Sequence, residues 1–198
     1  MTPVLFFLLM AILEMGLYFR SYLGTAAAVT DGARTASIAG NDLGADYVIL
    51  KAVRKATATM TTKDIVNLVV FDPASAAACS GTCTATNPVN ATVPSVCATS
   101  TARMFDTTAK CNVYTPGTSP TGDWYTTDAT KYGCTAPNNY SAGYCPTTRK
   151  TAKTGVNGPP GFVGVTVTVN HTYISGIFGK TKKIQNTVIA SLEPESLQ

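Results

Sequence analysis

Charge is scarce in this chain, at 13% of 198 residues, and so are the side chains that most catalysis needs. There is a single histidine, His171, and the 11 acidic residues are few and dispersed, so a catalytic carboxylate pair has no candidate. No G-x-S-x-G elbow, Walker loop, G-x-G-x-x-G, H-E-x-x-H or EF-hand pattern occurs. The reading is a non-enzymatic protein with no cofactor. The net charge of +4 is scattered, without a basic stripe or interleaved Arg and aromatic residues, which leaves nucleic-acid binding without support. Lys180, Lys182 and Lys183 cluster in what reads as a solvated hairpin loop. His171 falls by parity on the apolar face of a strand, where a lone histidine is a rim or core residue and not a base.

Against this poverty stands one long apolar run, PVLFFLLMAILEMGLYF from Pro3 to Phe19, with Glu14 as its one charge. As a helix it rises about 25 Å, the short end of a bilayer span. An ionisable group in hydrocarbon costs roughly 2.5 kcal/mol or more, so Glu14 should have a partner or a task. It could snorkel to the interface, lie protonated and buried, or meet a partner's basic group or amino terminus during assembly. A cleaved signal peptide fits poorly: no basic residue precedes the run, Glu14 interrupts it, and the helical pattern continues beyond it. Arg20, Arg34, Lys51, Arg54 and Lys55 follow the run and taken alone would favour the cytoplasmic side. The cysteines favour the opposite side and carry more weight.

Those cysteines stand at Cys79, Cys83, Cys97, Cys111, Cys134 and Cys145, all in a Gly/Pro/Thr/Ser/Asn-rich stretch. An even count in a loop-rich region behind a membrane segment predicts up to three disulfides in an exported domain, with many pairings open. A metal site is poorly supported, because only Cys79 and Cys83 are closely spaced and the histidine is remote.

Periodicity fills in the rest. Residues 3–39 read as one helix, with Gly24 and Gly32 tolerable where a neighbour packs closely. Gly40 suits a helix C-terminus and Asn41 or Asp42 an N-cap. A second, amphipathic helix then runs to about Met60, with Asp46, Lys51, Arg54 and Lys55 on or near its polar side. Ile65–Phe71 reads as a strand; residues 73–160 read as irregular, with short ordered pieces at Met104-Phe105 and Cys111–Tyr114. Trp124 and the tyrosines at 114, 125, 132, 140 and 144 crowd that region, more readily as a small core around the disulfides than as an adhesive patch. Phe162–Tyr173 alternates as a half-buried strand with Val163, Val165, Val167 and Val169 on one face, and a last strand presents Ile184, Val188, Ala190 and Leu192. The fold class is therefore α+β: a long N-terminal transmembrane, pilin-like helix (1–40) and a domain over 41–198. That domain combines a second amphipathic helix and a small antiparallel sheet with the cysteine-rich insertion 73–160.

The pieces Pro3, Glu14-Met15-Gly16, Tyr18-Phe19-Arg20 and Gly32-Ala33-Arg34 resemble, in order and spacing, the N-terminal helix of TadE-like proteins, minor pilins or pseudopilins of the tight-adherence (Flp, type IVc) pilus system. The distal GFVGVTVTVNHTYISGIFG and NTVIASLEPE are similar to the C-terminal hairpin of actinobacterial members. Residues 73–160 lie outside this resemblance. One feature departs: the basic leader, processing glycine and second glutamate usual in the family would precede or open the helix and are not in the residues before Pro3. A basic leader would also reconcile the orientation signals. The resemblance implies a single-pass cell-membrane protein with its C-terminal domain extracytoplasmic, and a place in or at the tip of a surface pilus. Its implied partners are membrane lipid, other pilin or pseudopilin subunits and Tad assembly proteins, met through Glu14, Gly16, Arg20, Gly24, Gly32 and Arg34. The competing expectation is a membrane-anchored, cysteine-rich adhesin or envelope binding protein unrelated to pili.

Overall fold

The computed structural model describes residues 2–58, 60, 64–79, 88, 90–116, 127–150, 161–176 and 178–193. Cys83, Trp124 and Tyr125, named above, lie outside them. Helix α1 spans Thr2–Ala39, about 57 Å by its 38 residues, and α2 spans Ala45–Ala56. They are followed by β1 (Ile65–Phe71), α3 (Ser95–Ala98), β2 (Met104–Asp106), β3 (Cys111–Tyr114), β4 (Phe162–Thr172) and β5 (Thr181–Ser191). The α+β class and the long first helix are as the sequence indicates. Gly40 ends α1 at φ +53°, a left-handed conformation that glycine adopts without steric cost. The N-cap of α2 is Gly44 rather than Asn41 or Asp42, because residues 42–45 close a further turn, with Ala45 N–H donating to the Asp42 carbonyl at 2.9 Å.

The sheet has five strands in the order β2-β3-β1-β4-β5, every pair antiparallel. Three strands were expected; β2 and β3 come from the cysteine-rich insertion and extend the sheet beyond β1. Lys182 and Lys183, expected in the hairpin loop, sit on β5 opposite His171 and Asn170.

Side-chain alternation divides the sheet into two packed faces. Toward the helices point Leu68, Val70, Tyr114, Val163, Val165, Val167 and Val169, which meet Ala28, Val29, Ala33 and Ala36 of α1 and Ile49, Leu50 and Val53 of α2. Burying each valine or leucine contributes roughly 1.5–3 kcal/mol, so this layer is what holds α1 to the domain. The opposite face, Val69, Phe71 and Val113, is covered by Ala78, Ala91, Cys97 and Ala109 of the insertion. β4 is therefore buried on both faces instead of one: Gly164, Thr166 and Thr168 are fully covered as well as the valines. Gly164 lies opposite Phe71, whose ring occupies the space a Cβ would take.

The insertion is braced covalently. Cys97–Cys111 joins α3 to β3 and Cys134–Cys145 closes a loop of separation 11. Cys79 is disulfide-bonded too, to a partner outside the described residues. In the chain-entropy picture, the Cys97–Cys111 closure, at separation 14, stabilises by about 3 kcal/mol. Tyr114, Tyr132 and Tyr144 are buried and Tyr140 half-buried. Tyr132 packs against Tyr47, Tyr114 and Tyr140 at 5.5–5.6 Å between ring centroids, so the tyrosines do form a core, on the helix side of the sheet beside α2.

Candidate functional site

Helix α1 leads two lives. Beyond Thr25 its inner face is sheet-packed, with Ala28, Val29, Ala33 and Ala36 at most 2% exposed. At its start Val4, Leu5, Phe6 and Phe7 are 61–71% exposed, and the helix is long and apolar enough to cross a membrane. The change happens at Glu14, which is fully buried within this apolar surround.

What buries it is the end of the β4–β5 hairpin. The Ser175 backbone N–H donates to Glu14 Oε1, while Oε2 is buried without a hydrogen-bond partner among the described residues. One turn further, Tyr18 stacks on Tyr173 at 6.4 Å and meets His171 edge-on at 5.6 Å. Ser21 Oγ lies 3.1 Å from His171 Nδ1 and also donates to the Leu17 carbonyl. Asn186 Nδ2 reaches the Tyr22 carbonyl at 3.5 Å. At the far end of α1, Ser37 Oγ donates to the Ser191 carbonyl at 2.6 Å and Glu193 N–H donates back to Ser37. The hairpin thus lies along α1 from Ser37 to Glu14, with polar contacts near both ends. His171 is a packed rim residue of this seam.

The other helix positions singled out in the sequence separate into two groups. Gly24 and Gly32 face inward. A Cβ on Gly24 would collide with the Met60 side chain; on Gly32 it would lie 2.7 Å from Val53 Cγ2 and 3.3 Å from Val165 Cγ1. Their close neighbours are within the subunit. Gly16, Arg20 and Arg34 are exposed, and Gly16 would meet nothing within 4 Å. Around Gly16, the side chains of Ile12, Met15, Phe19 and Leu23 remain 40–64% exposed.

A second polar constellation was not legible in the sequence. Asp46, expected on the solvent side of α2, is completely buried. Its Oδ1 takes Arg149 Nη2 at 2.5 Å, and its Oδ2 accepts from Asn112 Nδ2 at 2.8 Å and from Tyr114 Oη at 2.7 Å. Arg149 also donates to the Tyr144 carbonyl at 3.0 Å, and Asn112 Oδ1 accepts from the Gly143 and Tyr144 N–H groups. The reason for the reversal is plain: residues 132–149 fold over the first turn of α2 and bring Arg149 to it. Burial works against the Arg149 charge, and Asp46 beside it more than offsets that, so its affinity for the proton rises. Burial first, then the Asp46 charge, raises the Tyr114 hydroxyl well above its ordinary range; burial likewise raises Tyr144. This is a fastening of α2 to the insertion. Among the described residues no three His, Cys, Asp or Glu side chains converge as a metal set.

The fold and the seam define a class: an α+β domain braced by disulfides and carried on an apolar helix that fits a membrane anchor. The family model described as "TadE-like protein" matches residues 1–34, so the helix as far as Gly32-Ala33-Arg34 is similar to that family's. The match ends within α1 and does not extend to the hairpin. Comparison with curated proteins and with solved structures returns no match.

Proposed function

We propose that this chain is a non-enzymatic, minor pilin-like component of a Tad (Flp) pilus assembly or secretion apparatus, anchored by a single pass of α1 and with its C-terminal domain outside the cell. The observation that carries the reading is the outward surface of α1. In the TadE-like segment, an apolar face from Val4 through Ile12, Met15, Phe19 and Leu23 is left uncovered by the chain's own domain. Gly16 stands open at its centre, where a second helix can approach closely. Pilin or pseudopilin subunits and Tad assembly proteins are the partners in this reading. Arg20 and Arg34 flank the face as polar contacts, and Gly24 and Gly32 act from within by setting how α1 sits on its domain. Glu14, holding the Ser175 N–H, fixes the register at which the domain begins. The disulfides are in keeping with an oxidising compartment outside the membrane.

The test is co-isolation. The full chain, solubilised from membranes of its own host under mild conditions, should bring down pilin subunits and Tad assembly proteins, and Gly16→Leu should abolish this without lowering the amount of the chain. Recovery of the intact chain free of any such protein would refute the assembly reading. Recovery with a cell-surface ligand instead would favour the adhesin alternative.

A further inference from the structure

The β4–β5 hairpin ends where the exposed apolar part of α1 begins. Ile174 and Phe178, on either side of the turn, are 69% and 47% exposed, whereas the apolar side chains Val163, Val165, Val167, Val169 and Ile184 further along the hairpin are buried. The turn itself is tightly built: Gly176 and Gly179 adopt φ +74° and +100°, Tyr173 N–H donates to the Lys180 carbonyl at 3.0 Å, and Gly179 N–H donates to Gly176 at 3.1 Å. Glu14, by taking the Ser175 N–H, holds this turn at one fixed height on α1. From Val4 to Leu13 the helix runs on for about 15 Å, half the hydrocarbon thickness, with Val4 to Leu9, Ile12 and Leu13 exposed. A polar backbone turn deep in hydrocarbon would be costly, whereas one at the boundary is not.

The residues around that height have the make-up of a membrane interface. Tyr18 and Tyr173 stand stacked one turn from it, and tyrosine concentrates where one end of the side chain is apolar and the other wet. Just behind stand Arg20, Lys180 and Lys182, all exposed, with no acidic residue of β4 or β5 among them. An apolar tip backed by cations fits the acyl edge and phosphates of an anionic bilayer.

We infer that the hairpin tip is a second membrane contact: Ile174 and Phe178 enter the acyl edge of an anionic lipid leaflet while Arg20, Lys180 and Lys182 engage its phosphates. The inference rests on the reading of α1 as a membrane anchor. The domain is then set at a fixed tilt on two points of attachment instead of swinging on one.

Phe178→Trp and, separately, Ile174→Trp in the full chain, reconstituted in phosphatidylglycerol vesicles, test it; the parent chain, with Trp124 alone, supplies the baseline. Both new tryptophans should be quenched at least twofold more by lipids brominated near the headgroup than by lipids brominated deep in the chain. Quenching should fall at least twofold in purely zwitterionic vesicles and in the Lys180→Glu/Lys182→Glu background. Tryptophans quenched freely by aqueous iodide and not by brominated lipid would overturn the inference, as would shielding that disappears when the chain is diluted in lipid, since that marks a second copy on the tip. Equal quenching in both lipids would overturn the role of the cations. Flotation of the same samples keeps the two readings apart: a chain that floats with unquenched tryptophans refutes only the hairpin contact, and one that does not float refutes the anchor along with it.

Discussion

Replacing Arg149 by Met should remove a large part of the domain's stability. Arg149 and Asp46 are both fully buried, 2.5 Å apart, and the Asp46 carboxylate also draws in Asn112 and Tyr114. Methionine fills most of the volume but leaves a carboxylate without its cation, which costs about 3–5 kcal/mol when a buried pair is broken from one side. Against total stabilities of roughly 5–15 kcal/mol, that is a third or more. With a urea slope of about 2 kcal/mol per molar, the midpoint should drop by roughly 2 M. Lys110–Asp72 supplies the contrast, at 3.1 Å but with the lysine side chain 53% exposed. Lys110→Met should cost less than about 1 kcal/mol, because solvent screens that pair. In the double variant Asp46→Asn/Arg149→Met the loss should fall short of the two single losses added together by about 1–3 kcal/mol, since the pair is one unit. The assay is urea unfolding of the full chain in lipid nanodiscs, followed by circular dichroism. An Arg149→Met loss no greater than that of Lys110→Met would refute the reasoning that this ion pair fastens α2 to the insertion.

Three further outcomes are expected. Tyr114 and Tyr144 should remain protonated at pH values where exposed tyrosines have ionised, as read by ultraviolet difference titration; the folded state holds those protons more tightly than the unfolded chain. Stability is therefore full below the unfolded tyrosine pKa of about 10 and declines as pH rises above it, and a flat stability profile through that range would contradict the burial argument. Cys97→Ser/Cys111→Ser should destabilise by about 3 kcal/mol while leaving the helical circular dichroism of α1 and α2 intact; a concerted loss of helix in native buffer would show that the insertion is needed for the fold itself. Gly32→Val should cost about 1–3 kcal/mol by overpacking against Val53 and Val165, whereas Gly16→Val, facing open space, should cost under about 1 kcal/mol; equal losses would mean that the two glycines are not on opposite sides of α1.

Local pattern made much of the fold legible. Ile65–Phe71 and the start of β4 follow directly from their runs of β-branched residues; of the small residues at helical spacing in α1, Ala26, Val29, Ala33 and Ala36, the last three pack on the sheet. What local pattern could not show is what lies on the far side of an element. Thr166 and Thr168 alternate with valines as solvent-facing residues would, yet the insertion covers them, and Thr166 is matched by a hydroxyl contact of 2.7 Å with Thr187. Asp46 sits among the lysines and arginines of α2 in sequence and is buried only because Arg149, 103 positions away, returns to it. Glu14 announced itself as a misplaced charge. That its partner is a backbone N–H of its own hairpin, 161 positions on, is a long-range closure that no spacing rule encodes. Lys182 and Lys183 were read as loop residues because lysines near glycines look like a turn, but β5 pairs with β4 as far as Thr172↔Thr181.

The most direct measurement is a count of surface pili in a strain deleted for this chain and complemented with either the parent sequence or Glu14→Leu. The account predicts few or no pili on deletion, restoration by the parent, and failure of Glu14→Leu at equal membrane abundance, because the carboxylate sets where the domain meets the helix. Normal piliation of the deleted strain would contradict the assembly role, and full rescue by Glu14→Leu would remove Glu14 from it.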